Sequence, residues 1–205
     1  MRHRSQASPP YGRTAGAAYL LPVIPNPYHP KPNLQPTMPT IPPIDYGDLQ
    51  GGLVRMMERY QDEGTLTGDA DEDDAIRADA NAALLGLLYD QRVRAEYAFT
   101  GPLRLKERLG HLDMATIAAM DFDEFQPIFA EKPAVHRFTN KMAENTQKVA
   151  KMIAEEYDGD AANMWNDGAD INTIEKRIKK LPGFGKGKAS KIKYVLHYFG
   201  QRDFS

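Results

Sequence analysis

Leu181-Pro-Gly-Phe-Gly-Lys-Gly-Lys-Ala189 decides how this chain is read. Two glycines two residues apart, Gly183 and Gly185, separate a basic stretch with helical spacing, Ile174 to Lys180, from a second, Lys188 to Tyr198. The pattern predicts helix, tight glycine turn, helix. Glycine lets a backbone adopt positive φ and approach another surface closely. The N–H groups of such a turn, with the N-terminus of the following helix, form a cradle for an anion such as a phosphate. From Ile171 to Arg202, nine Lys or Arg stand against one acid, Glu175. That excess points to a polyanion, with nucleic acid as the first candidate. The competing reading is an αα-hairpin whose basic face is simply solvated.

Outside this stretch the charge balance differs. The 205 residues carry a net charge of −2, so the basic third is offset elsewhere. Asp69, Asp71, Glu72, Asp73 and Asp74 crowd into the segment from Asp62 to Asp79. They read as a solvated acidic loop. The chain has no cysteine, which excludes disulfides, thiolate zinc sites and cysteine-held iron–sulfur clusters, so no cofactor is expected. No His/Asp/Glu cluster has metal-ligand spacing, and no metal site is expected. No apolar run approaches the roughly 18 residues of a membrane span. The expected setting is the cytoplasm, in association with the nucleoid.

Eleven of the fifteen prolines fall between Pro9 and Pro43, and the first 44 residues contain no acid. This predicts a disordered, polyproline-like tail over 1–45. A proline-reading protein partner for the tail is the alternative, and a leader peptide a lesser one. The folded part spans 46–205 and reads as all-α, with the hairpin motif at 173–199. Tyr46 to Tyr60 is the first ordered piece. Ala75 to Leu88 reads as one helix, apolar through its second half and therefore buried. A helical turn over Gln91 to Ala98 ends at Gly101-Pro102. Leu103 to Leu109 is capped by Gly110. Asp113 and Asp121 open two short helices. Lys132 to Phe138 is a loop, and Asn140 to Tyr157 a long helix stopped by Asp158-Gly159. Trp165 begins another turn, and Asn172 or Thr173 caps the helix entering the hairpin.

Three stretches in this order resemble the helix-hairpin-helix DNA glycosylases, the superfamily that includes endonuclease III. Ala83-Leu-Leu-Gly-Leu-Leu-Tyr-Asp-Gln91 is similar to the buried family helix that ends in glutamine. Phe138-Thr-Asn-Lys-Met-Ala-Glu-Asn-Thr-Gln147, running on to Tyr157-Asp-Gly-Asp160, resembles the family's K-A-x-N helix and its glycine stop. Leu181-Pro-Gly-Phe-Gly185 resembles the hairpin. Asp90-Gln91, Glu96-Tyr-Ala-Phe99, Gly101-Pro102 and His136-Arg-Phe138 are similar to an actinobacterial branch of the superfamily, for which the resemblance supplies a fold and no substrate.

The resemblance implies a helix-hairpin-helix glycosylase fold acting on double-stranded DNA; the sequence gives no sign of oligomers, and a monomer is expected. It implies phosphate contacts from Gly183 and Gly185 and a DNA-facing role for Gln91. Phe184, Lys186, Gly187, Lys188 and Lys191 complete the expected DNA-binding set. Bifunctional members carry a catalytic lysine at the position held here by Gly187, between Lys186 and Lys188, so lyase activity is not expected. Members also use an aspartate beyond the second hairpin helix. Counting on from Gly185, that position falls at Ser205, and the nearest acid is Asp203.

Breaking an N-glycosidic bond builds positive charge on the sugar, which a nearby carboxylate stabilises. The base must first leave the stack and enter a pocket, usually aromatic. Asp90 and Asp203 are the candidate carboxylates, with helix capping and a solvated terminus as their plainer roles. Tyr89 and His136 are the candidate pocket residues, with core packing as theirs. Three functions follow: a monofunctional DNA glycosylase in base-excision repair, a non-catalytic helix-hairpin-helix DNA-binding protein, or a protein-interaction role centred on the tail.

Overall fold

The structure, a computed structural model, describes residues 41–47 and 49–205. Most of the expected proline-rich tail lies outside the described residues. Among the described residues the architecture is all-helical: α1 (Gly52–Glu63), α2 (Ala70–Arg77), α3 (Ala80–Tyr89), α4 (Ala95–Phe99), α5 (Gly101–Leu109), α6 (Met114–Ala119), α7 (Phe122–Ala130), α8 (Thr139–Glu156), a 3-10 turn (Ala161–Met164), α9 (Ile171–Lys180), α10 (Lys186–Ala189) and α11 (Ile192–Tyr198).

The centre is α3. Every residue from Ala82 to Tyr89 is buried, and α2, α4, α5, α8, α11 and the 3-10 turn all pack on it. Gly86 permits this closeness, because a Cβ there would lie 2.6 Å from the Phe99 ring. Phe99 in turn stacks on Phe199, ring centroids 5.2 Å apart. At the other end of α3, Asn81 ties down the exit of α8. Its Nδ2 donates to the Gly159 carbonyl at 3.0 Å, and its Oδ1 accepts the Ala161 N–H at 2.8 Å. α6 and α7 cover α8, where Gln147 donates to the Ile117 and Met120 carbonyls.

Many expected boundaries hold. Leu53, Met56, Met57 and Tyr60 of α1 are buried. Gly110 ends α5 in the left-handed region, and Asp113 and Asp121 cap α6 and α7. Others move. The helix expected over Ala75–Leu88 is two helices, because the Asp79 carboxylate accepts the Asn81 and Ala82 N–H groups and starts α3 afresh. α4 ends at Phe99, just before Gly101-Pro102 as expected, but α5 starts at Gly101 rather than Leu103 and takes Pro102 into its first turn, where its missing N–H costs nothing. Trp165 closes a turn instead of opening one. Asp170, not Asn172 or Thr173, caps α9, accepting the Thr173 N–H at 2.7 Å.

The acidic cluster is not a loop. Asp69 caps α2 and Asp71, Glu72 and Asp73 fill its first turn, where carboxylates suit the helix dipole. Asp73 is buried and clamps the preceding loop, accepting Leu66 N–H at 2.6 Å, Thr67 N–H at 2.9 Å and Thr67 Oγ1–H at 2.7 Å. The last residues read as tail are docked as well. Ile44 belongs to the core, and the Pro42 carbonyl meets His197 Nε2 at 2.7 Å. The Phe204 N–H donates to Nδ1 of that ring, so one buried histidine holds both the 41–45 segment and the 203–205 segment.

Candidate nucleic-acid interface

α9 buries Ile174 and Ile178 and turns Arg177, Lys179 and Lys180 into its last turn. Leu181 and Phe184 then plug the turn into the core, and the Phe184 N–H closes it on the Leu181 carbonyl at 3.1 Å. Gly183 sits between them at φ 82°. A Cβ at Gly183 would lie 2.8 Å from both Asn145 Nδ2 and Leu88 Cδ1. The turn therefore rests against α8 and α3 together.

Gly185 is different. It is extended, with φ −108°, and its carbonyl accepts the Lys188 and Ala189 N–H groups as α10 begins. A Cβ at Gly185 or Gly187 would meet nothing within 4 Å. Among the described residues, the N–H groups of Gly185, Lys186 and Gly187 have no acceptor. Three consecutive donors thus stand unpaired beside two glycines that leave space for a ligand.

The C-terminal end of α3 meets this turn. Lys188 Nζ donates to the Leu88 carbonyl and lies 3.5 Å from Gln91 Oε1. Burial pulls the Lys188 ammonium down to about 8, against the opposing field of Asp90. Asp90 pairs with Lys191 at 2.7 Å, with both side chains mostly shielded. After Gln91 the chain turns through Arg92 at φ 55°, a conformation that strains a residue bearing a Cβ. Arg137 donates to the Arg92 carbonyl at 3.4 Å. Asp90, Gln91, Lys188 and Lys191 are therefore brought together at the C-terminal end of α3. Phe184 lies beneath, its ring 5.8 Å from Lys188 Nζ.

Tyr89 and His136 join the same region from within. Both are fully buried rather than set on an open pocket wall. Tyr89 Oη bonds Thr146 Oγ1 at 2.9 Å, and burial raises its pKa. The Phe138 N–H donates to His136 Nδ1 at 3.0 Å, which leaves Nε2–H to donate to the Gln91 carbonyl at 3.2 Å. Burial pushes the His136 pKa down, consistent with a neutral ring whose two nitrogens are both in use. Asp203 lies elsewhere: its side chain is 73% exposed, and its carboxylate is 3.3 Å from His197 Nδ1. None of its contacts is shared with the hairpin.

Two arginines absent from the sequence reading hold the loop that carries His136. Arg104 donates to the carbonyls of Tyr97 at 2.6 Å and Val135 at 3.3 Å. Arg108 donates to Ile128 and Pro133 at 2.8 and 2.6 Å. Their only sequence signal is helical spacing, which does not separate a clamp from a solvated face. Among the described residues, no three His, Cys, Asp or Glu side chains gather as metal ligands, and no helix is long and apolar enough to cross a membrane.

The surface cations divide into two groups. Along α8, Lys141 and Lys148 pair with Glu144, which they hold down at about 2, and Lys151 pairs with Glu155. Around the hairpin, Lys176, Lys179, Lys180 and Lys186 have no carboxylate within 4 Å among the described residues. No protein-family model matches the chain, and no curated protein or solved structure does.

Proposed function

We propose that this domain binds double-stranded DNA through the turn at Gly183–Lys188 and acts in base-excision repair as a monofunctional DNA glycosylase. The observation that carries the DNA-binding reading is the run of N–H donors at Gly185, Lys186 and Gly187 that find no acceptor among the described residues, beside glycines open to close approach and lysines with no described carboxylate within 4 Å. Backbone amides and lysines arranged in this way hold a phosphate without reading sequence.

The glycosylase reading assigns the chemistry to Asp90. It is the carboxylate at the hairpin, and its partner Lys191 is itself a cation that a DNA phosphate would attract. A phosphate on Lys191 would free the carboxylate to face the charge that develops on the sugar as the base departs. Asp203, exposed beside His197, is the weaker candidate.

A non-catalytic DNA-binding protein is the second reading. The Asp90–Lys191 pair and the burial of Tyr89 and His136 favour it, since they engage the candidate carboxylate and enclose the candidate pocket residues. Base release from duplexes carrying a panel of damaged and modified bases, read by mass spectrometry with binding recorded alongside, separates the two. Release that Asp90→Asn abolishes without loss of binding supports the glycosylase. Binding with no release across the panel supports the second reading.

A further inference from the structure

Beside the turn, on the side away from Asp90 in sequence, α9 and α10 enclose a cleft of about 460 Å³ lined by Asn172, Glu175, Lys176, Lys179, Lys186 and Ala189. Residues 172, 175, 176 and 179 follow one another at helical spacing, so α9 presents them as a single stripe. Lys176 and Lys179 are exposed and Lys186 faces them across the cleft. None of the three has a carboxylate within 4 Å among the described residues, although Glu175 lines the same cleft. α8 shows the alternative: there the chain places each of three lysines against a glutamate. Three lysines lining one cleft with a single glutamate leave net positive charge there, which a bound anion relieves.

The cleft is continuous with the candidate phosphate site, because Lys186 belongs to both: its N–H is one of the three unpaired donors and its side chain lines the cleft. We propose that the cleft is a second phosphate-binding track. In this arrangement Lys176 and Lys179 grip the DNA backbone that continues past the hairpin, extending the contact along α9. The inference rests on the DNA-binding reading above and adds to it a footprint larger than the turn.

The test is titration of an undamaged duplex over a range of salt concentrations. Neutralising two phosphates contributes about 1.8 to the slope of log affinity against log salt, equivalent to roughly 60-fold in affinity at 0.1 M referred to 1 M. The Lys176→Ala/Lys179→Ala variant is expected to lose that slope and affinity, while Lys176→Arg/Lys179→Arg retains both. Lys148→Ala/Lys151→Ala removes the same net charge from α8 and is expected to leave the slope unchanged. Wild-type affinity and slope in the α9 alanine variant overturn the track, as does an equal loss in the α8 variant, which would make net charge the cause. If Gly185→Ala meanwhile abolishes binding, the hairpin reading stands without the track. A wild-type protein that binds no duplex overturns both. Melting temperatures of the lysine variants are expected to stay close to the wild type, since Lys148, Lys151, Lys176 and Lys179 are exposed.

Discussion

Gly183 and Gly185 lie in the same turn, and the packing requires only the first. Gly183 holds a positive φ and leaves no room for a Cβ against Asn145 and Leu88. Gly185 has ordinary extended geometry and open space around it. One glycine joins the hairpin to α3 and α8; the other leaves a surface uncovered beside unpaired donors. A residue that folding does not need, placed where a ligand could approach, marks the difference between the half of the turn that is structure and the half that is available for binding.

The sharpest way to break this comparison is to add one methyl group at each position. Gly183→Ala combines left-handed strain with overpacking against two elements and is expected to cost about 3 kcal/mol in denaturant unfolding. Gly185→Ala trades a favourable backbone-entropy change against a poorer helix cap, and its stability is expected to stay within about 0.5 kcal/mol of wild type. Its duplex affinity is expected to fall by tenfold or more, about 1.4 kcal/mol, because the methyl group blocks close approach. Equal stability losses at both sites would erase the distinction.

Lys188 sharpens the binding side. With its ammonium lowered to about 8, the cation is present below that pH and lost above it. Duplex affinity is therefore expected to fall as pH rises from 7 to 9, by the worth of one phosphate contact, roughly eightfold at 0.1 M salt. Lys188→Arg, which keeps its charge, is expected to flatten the profile. A wild-type profile that is already flat removes Lys188 from the interface.

The remaining effect belongs to the structural side. His136 is buried neutral and its folded pKa lies below its unfolded value. The unfolded chain thus binds the extra proton first. The stability His136 confers is complete above its ordinary value near 6.5 and is lost as pH falls below it. Unfolding at pH 7.5 and 5.5 is expected to differ by no more than about 1.4 kcal/mol from this source. His136→Asn is expected to remove that part of the difference, and an unchanged difference would assign it to other groups.

The helices were legible wherever a strong local signal stood alone. Gly110, Asp113 and Asp121 act through their own neighbours, and the structure uses each as expected. Two misread boundaries lie where a better capping residue stood close to the one expected or inside the expected helix. Asp170 competes with Asn172 and Thr173, and Asp79 interrupts an apolar run that otherwise continues through Ala75–Leu88. The second hairpin helix, read as Lys188 to Tyr198, breaks between Ala189 and Ile192, and no proline or glycine there announces it.

Sequence by itself determined the all-helical character, the position of the glycine turn and the concentration of positive charge around it, because helical periodicity, glycine spacing and charge are properties of neighbouring residues. Only the tertiary structure decided which of those residues are available. It placed Tyr89 and His136 in the interior, engaged Asp90 with Lys191, put Asp203 beside His197, and left Lys176, Lys179 and Lys186 with no carboxylate within 4 Å among the described residues. Burial and pairing depend on groups more than a hundred residues apart in the chain, as in the bond from Lys191 to Asp90, and local pattern carries no record of them.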